Sequence, residues 1–236
     1  FAIPGAILAR LSLQGGDQEF GARFATLAAN SFFLAAITAA IAVVLAVTMA
    51  YGARISRSPT AVVVNRIAAL GYAVPGAVIA IGVLIPAARL DNLIADLLDA
   101  MFGISAGLLL TGSLFALLYG YLVRYFAVAY QSVEAGLARI TPAMDASARS
   151  LGSTTFDTFV RVHLPILSPS VLAAVLLVFV DVMKELPATL VLRPFNFDTL
   201  AVVAYQLAAD ERLGEAALPA LTIVLAGVIP VILLSR

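Results

Sequence analysis

Three ionisable side chains stand inside an otherwise apolar run: Asp181, Lys184 and Glu185, in the string FVDVMKELPATLVL. A charge in hydrocarbon costs about 2.5–3.5 kcal/mol on insertion scales, so such residues face a partner or a wet space. Lys184 follows Asp181 by three residues and Glu185 follows it by four, spacings that put side chains on one helix face. On that face Lys184 neutralises Asp181, and Glu185 remains as net charge. Two roles fit: an ion pair that closes a helix bundle, or the lining of a solute path or its outer gate. Pro187 follows and frees backbone carbonyls, which is tolerated only where protein or water covers them.

A second constellation is mechanical. Residues 131–164 read QSVEAGLARITPAMDASARSLGSTTFDTFVRVHL and run into Pro165. Thr141 suits an N-cap, Pro142 the first helical position and Asp145 the first turn. Gly152 suits the stop. A second amphipathic piece follows, with Phe156, Phe159, Val160 and Val162 apolar, ending at Leu164-Pro165. The pattern predicts two short helices in a hairpin, with Met144, Ala148 and Leu151 near one exposed stripe that fits an apolar groove. An amphipathic loop resting on a membrane surface fits the same residues. His163, the one histidine, sits beside Leu164-Pro165 with no acid placed to orient it, and reads as structural.

These groups are carried by a chain of 236 residues that is 62% hydrophobic and only 12% charged. Its mean hydropathy is +1.05. A soluble domain carries about 25% charged residues, so this chain lacks the polar surface to dissolve itself. The apolar residues form long runs, as membrane helices require, without the short alternating segments of a β-barrel. Net charge is +0, so nothing points to nucleic acid. There is no cysteine, hence no disulfide or thiolate metal site, and one histidine builds no histidine-based metal centre. No glycine-rich phosphate cradle and no nucleophile constellation occurs.

The fold expected is an all-α, polytopic membrane helix bundle with five full spans and one partial one. The partial span is Phe1–Ala9, which looks like the end of a truncated helix. The full spans lie near Phe24–Tyr51, Ala61–Ala88 (interrupted at Pro75-Gly76), Ser105–Tyr130, Ile166–Leu192 (with Pro187 inside) and Ala216–Leu234. Leu90–Met101 reads as a separate short helix at the outer interface. Arg54, Arg57, Arg139, Arg149, Arg161 and Arg236 fall on one side, which the positive-inside rule makes cytoplasmic. The opposite loops hold Asp17, Glu19, Asp91, Asp96, Asp99, Asp198, Asp210 and Glu211, among Arg10, Arg23, Arg89, Arg193 and Arg212. Glycine and alanine crowd the spans, which suits close helix packing.

The loop resembles the cytoplasmic loop of ABC importer permeases, whose pattern is Glu-Ala-Ala, three residues, Gly, nine residues, Ile, one residue, Leu-Pro. Gly152, Val162, Leu164 and Pro165 fall on the glycine, isoleucine, leucine and proline positions, and Ala148 on the second alanine. Ala146 stands for the glutamate and Ser147 for the first alanine, with Asp145 just before. The string DVMKELPATLVLRPFNFDTLA is similar to ferric iron permeases, in a branch shared with thiamine, polyamine and phosphonate permeases. The likeness runs from ANSFFLAA through LGYAVPGAVIAIG to the end. It implies a single transmembrane permease domain over residues 1–236, of the MetI-like type I fold, with a coupling loop at about 131–165.

The resemblance further implies that Asp145, Ala146, Ala148, Arg149, Leu151, Gly152, Val162, Leu164 and Pro165 serve ATPase coupling. Asp181, Lys184 and Glu185 become the translocation pathway. Arg193, Phe195, Asn196 and Asp198 become the contact for a periplasmic solute-binding protein, although an ordinary interfacial loop fits them equally. With one coupling loop, the chain reads as the second half of a two-half permease, or one subunit of a pair, in a bacterial inner membrane. It would work with two cytoplasmic ATP-binding subunits, bind no cofactor itself (ATP sits on the partner) and be no enzyme. An ion-coupled secondary transporter and a membrane subunit without transport are the other readings.

Overall fold

The structure, a computed structural model, describes residues 2–14, 20–56, 58–105 and 107–234. Phe1, Asp17, Glu19, Arg57 and Arg236, used above for the partial span and the charge bias, lie outside the described residues. The helices in order are α1 (Ala2–Gln14), α2 (Phe20–Ser56), α3 (Pro59–Ala68), α4 (Gly76–Phe102), α5 (Leu114–Leu137), α6 (Pro142–Ser150), α7 (Thr155–Thr158), α8 (Leu164–Met183), α9 (Pro187–Leu192), α10 (Leu200–Ala209) and α11 (Leu213–Leu234). A 3₁₀ turn at Gly71–Ala73 stands between α3 and α4, and a π turn at Phe159–His163 joins α7 to α8. The chain is an all-helical membrane bundle. Among the described residues, four helices are long and apolar enough to cross a bilayer: Arg23–Ser56, Gly76–Phe102, Thr155–Met183 and Leu213–Pro230.

The remaining expected span, the third in order near Ser105–Tyr130, is α5, which begins at Leu114. It falls outside that set and carries Arg124, Gln131 and Glu134. Its position explains why. Packed chiefly on α2 and α8, it has twelve of its 24 residues buried. A helix wrapped by protein does not need an apolar face for lipid.

Close packing here depends on small side chains. Ala35, Ala39, Ala42, Ala46 and Ala50 recur at helical spacing along α2 and are all buried. Lipid is as apolar as leucine, so helices gain by backbone approach and van der Waals contact rather than by escaping water. Leu117, Tyr121, Leu167 and Val178 fill the centre of the bundle.

Several boundaries differ from expectation. Leu90–Met101 is no separate helix; it forms the last turns of α4, whose stop is Gly103 at φ 65°. The acids there give the appearance of an interfacial helix, but Asp91 is buried. Its Oδ1 accepts the Leu109 and Leu110 N–H groups at 3.0 and 2.8 Å, and its Oδ2 accepts that of Thr111 at 2.7 Å. One carboxylate thus holds the irregular lead into α5. Asp91→Ala is expected to cost about 2–3 kcal/mol, because buried donors lose a charged acceptor; a lowered thermal midpoint of the purified protein in detergent measures it. The break at Pro75-Gly76 is present, and α3 precedes it. The span over Ile166–Leu192 is broken before Pro187, between Met183 and Pro187. Helix α10, buried through Leu200, Val202 and Val203, lies where only an outer loop is expected. Of the expected partial span, the described residues 2–9 are part of α1, which continues to Gln14 and packs on α11.

Candidate functional site: a buried charge junction and a terminal hairpin

The helix breaks at Gly76 and at Lys184–Leu186 meet beside the middle of α5. Glu185 is buried there at 4% exposure. It accepts a hydrogen bond from the Tyr125 hydroxyl and one from the Ala188 N–H at 3.0 Å, and Arg124 Nε lies 3.5 Å from its Oε2. Below it the Tyr121 and Thr189 hydroxyls share a 2.6 Å hydrogen bond. Gly76 is what lets the groups assemble: a Cβ there would overlap Arg124 Nη1 and lie 2.7 Å from Glu185 Oε1. Gly71 plays the same part against backbone, since its Cβ would overlap the Val123 carbonyl oxygen.

Asp181 and Lys184 do pair, Nζ to Oδ1 at 2.8 Å, but Glu185 does not share their face. α8 ends at Met183, so the backbone turns between Lys184 and Glu185. Lys184 points outward at 60% side-chain exposure while Glu185 turns inward to Arg124. Arg124 is the residue the spacing argument overlooks. It stands alone in YLVRYFAVAY. A lone arginine in an apolar run and an unbalanced glutamate in another are a pair by charge alone, and that is the signal that finds it.

The hairpin is built largely as its residues predict. Thr141 precedes α6 in extended conformation, with Pro142 in the first turn, although the Thr141 hydroxyl makes no cap bond. Gly152 takes φ 80°, and the Ser153 N–H returns to the Ala148 carbonyl at 3.1 Å. Thr154 caps α7 by accepting the Asp157 N–H at 3.1 Å. A left-handed residue other than glycine costs about 1–2 kcal/mol. Nothing lies within 4 Å of a Cβ at Gly152, so the backbone term is the whole cost. Gly152→Ala is therefore expected to lower stability by about that amount while membrane insertion is preserved; a protease-protection pattern equal to wild type together with a small drop in thermal midpoint checks both halves.

Two features depart from expectation. The second amphipathic piece is not separate: α7, the π turn and α8 form one unbroken helix, so Val162, Leu164 and Pro165 lie within it rather than at a span entry. Pro165 falls in the first turn after the π turn, where its missing N–H is absorbed. The exposed stripe also changes. Met144 and Leu151 are exposed and Ala146 and Arg149 lie on the surface, but Ala148 is buried at 7%.

His163 does have an acid. Its Nε2 lies 2.7 Å from Asp145 Oδ1, and its Nδ1 is 3.1 Å from the Tyr51 hydroxyl. Asp145 Oδ2 accepts from Arg54 Nη2 at 2.7 Å. Partial burial opposes ionisation of Asp145, but the Arg54 hydrogen bond and charge, with His163, outweigh it and hold its pKa below the usual aspartate value. A depressed carboxyl stabilises the fold above its unfolded pKa and loses that contribution as pH falls through the folded one. The tie between α6 and α2 is thus intact at neutral pH and is expected to open only in acid below the ordinary aspartate range; amide exchange in α6 across a pH series reads it.

At the far end, Arg193 pairs with Asp198, and Arg23 stands 3.8 Å from the same carboxylate. Phe195 is 94% exposed, and Asn196 beside it has φ 61°. The Asp198 carbonyl accepts from Asn30 Nδ2 at 3.0 Å, and the Leu200 N–H donates to Ser31 Oγ at 2.8 Å.

Comparison with solved structures gives the fold. The chain superimposes with TM-score 0.69, over 99% of its length and 85% of the other's, on a chain of the bacterial alginate ABC transporter in complex with its alginate pentasaccharide-bound periplasmic protein, at 15% identity. No protein-family model matches. The fold is that of a multi-pass membrane helix bundle of the ABC transporter permease type. Within it, the chain is related to ferric and phosphonate transport permeases. It is 30% identical over 226 residues, 96% of its length, to the Fe(3+)-transport system permease protein FbpB 2 of Haemophilus influenzae. It is 33% identical over 119 residues, half its length, to the 2-aminoethylphosphonate transport system permease protein PhnV of Salmonella typhimurium. It spans less than half the length of each, 41% and 44%.

Proposed function

We propose that this chain is the transmembrane half of an ATP-driven importer that receives its cargo from a periplasmic binding protein, and that the cargo is ferric iron. The observation that carries the reading is the hairpin: α6 turns at Gly152 into a single helix that runs from Thr155 to Met183 through the bundle. A push on α6 by a docked ATPase is therefore delivered to a long rigid element rather than lost in a loop. Two ATP-binding subunits supply the hydrolysis, and this chain binds no cofactor of its own. The membrane is the bacterial inner membrane, with the hairpin and Arg54 on the cytoplasmic side. The chain acts as one permease domain beside a second half or subunit.

The chain-long likeness to a ferric permease supports the cargo. The shorter likeness to a phosphonate permease supports a second reading, the same machine carrying a phosphonate. Alternating access puts Asp181, Lys184 and Glu185, now with Arg124, along the path. The exposed Phe195-Asn196 turn between Arg193 and Asp198 is the contact for the binding protein. Ferric iron prefers hard oxygen ligands, and the path need only pass on what that protein releases. The test is reconstitution in proteoliposomes with the second permease half or subunit, the ATPase and the binding protein of the same system. Uptake of ferric iron that requires ATP is expected. Uptake of 2-aminoethylphosphonate in place of iron reassigns the cargo, and nucleotide-independent uptake of either defeats the reading.

A further inference from the structure

We infer that Tyr51, Arg54, Asp145 and His163 form a strut that carries movement of the hairpin into α2, and that α2 relays it to the outer loop at 193–199. Arg54 and His163 are then positioning residues for transport. The inference rests on the reading of the hairpin as the surface pressed by a motor protein.

One carboxylate makes the joint. Asp145, on α6, meets Arg54 of α2 through one oxygen and His163 of the π turn through the other, both at 2.7 Å. His163 is 2% exposed, and its other ring nitrogen reaches Tyr51 of α2. The Tyr51 ring packs on Phe159 with centroids 4.6 Å apart. Both sides of the hairpin are therefore fastened to one stretch of α2. Hydrogen bonds to a shared, partly buried carboxylate are directional, so the joint resists rotation as well as separation. The ionisable groups lining the cavity at the joint are Tyr51, Arg54, Asp145, Arg149 and His163.

The other end of α2 is fastened too. Asn30 and Ser31 hold the backbone at Asp198 and Leu200. From Ser31 to Arg54 is 23 residues of unbroken helix, about 35 Å at 1.5 Å per residue. A rod clamped at both ends between the hairpin and the exposed Phe195 turn links the surface where a motor would press to the surface where a binding protein would sit.

The experiment uses the reconstituted transporter and reads solute moved per ATP hydrolysed, a ratio that does not depend on how much protein folds. Wild type must show ATP-driven uptake; if it does not, the functional reading fails and takes the strut with it. In Arg54→Gln, uptake per ATP is expected to fall about tenfold, the scale of a coupling energy between sites, while hydrolysis stays within about twofold. The conservative Arg54→Lys, which keeps a cation facing Asp145 and leaves the His163 contact in place, is expected to retain most of the ratio. The chain has no cysteine, so Ile55→Cys and Thr155→Cys, both lining the joint, can be bridged by a short bismaleimide. Bridging them in Arg54→Gln is expected to restore coupling. An unchanged ratio in Arg54→Gln, or a bridge that restores protein yield without the ratio, overturns the strut.

Discussion

Glu185→Leu is expected to abolish transport and to remove about 3–5 kcal/mol of stability, the range seen when one member of a buried pair is deleted. The residue is 4% exposed, and four groups converge near it: the Tyr125 hydroxyl, the Ala188 N–H, the Arg124 guanidinium and the Gly76 backbone. Without its carboxylate, Arg124 keeps a charge with no counterion in the interior of the bundle. The first turn of α9 loses its acceptor at Ala188 in the same step. Little protein should accumulate in the membrane. The companion double variant Arg124→Met with Glu185→Leu removes both charges and fills similar volume, so most of the stability should return. Transport should not return if the pair lines the path. Membrane yield and thermal midpoint read the first effect, and uptake reads the second. A double variant that transports normally would reduce the pair to a packing device.

Gly71→Ala is expected to have the second largest effect. The new Cβ would overlap the carbonyl oxygen of Val123 and lie 2.9 Å from its carbon. That neighbour is backbone in the middle of α5 and has no rotamer to change, so the 3₁₀ turn must leave α5. Overpacking typically costs about 1–3 kcal/mol and more where nothing can yield, and the upper end is expected here. Gly120→Ala makes the internal comparison, because its Cβ would meet only the Leu192 Cδ1 at 2.6 Å, the far end of a flexible side chain. Gly71→Ala should lower the thermal midpoint several times more than Gly120→Ala. Equal losses would mean that close approach at Gly71 does not hold the break in place.

Proline alone did not determine where the helices break. Pro187 reads as the interruption of its span, yet α8 already ends at Met183 and Pro187 begins α9. Pro86, Pro169, Pro219 and Pro230 sit inside helices. Proline removes one hydrogen bond and crowds the carbonyl four residues back, and a local kink or an early helical position absorbs both. α8 ends at the residue four before Pro187, where the proline crowds the Met183 carbonyl, and the break lets Glu185 turn toward Arg124, a residue 61 positions earlier.

The sequence by itself determined the membrane character, the all-helical bundle, the break at Pro75-Gly76 and the hairpin turning at Gly152. Each of these is local: a run of apolar residues long enough for a bilayer, or a residue whose own backbone preference dictates the turn. Only the tertiary structure decided which charges meet. The spacing of Asp181, Lys184 and Glu185 assumes one continuous helix, and the helix stops among them. Glu185 and Arg124 are 61 residues apart and come together only because α5 and α8 pack in one bundle, and His163 and Asp145 meet across the hairpin, where Tyr51 and Arg54 of the distant α2 join them. A charge in a low-dielectric interior seeks its partner wherever packing delivers one, and one-dimensional spacing carries no record of that delivery.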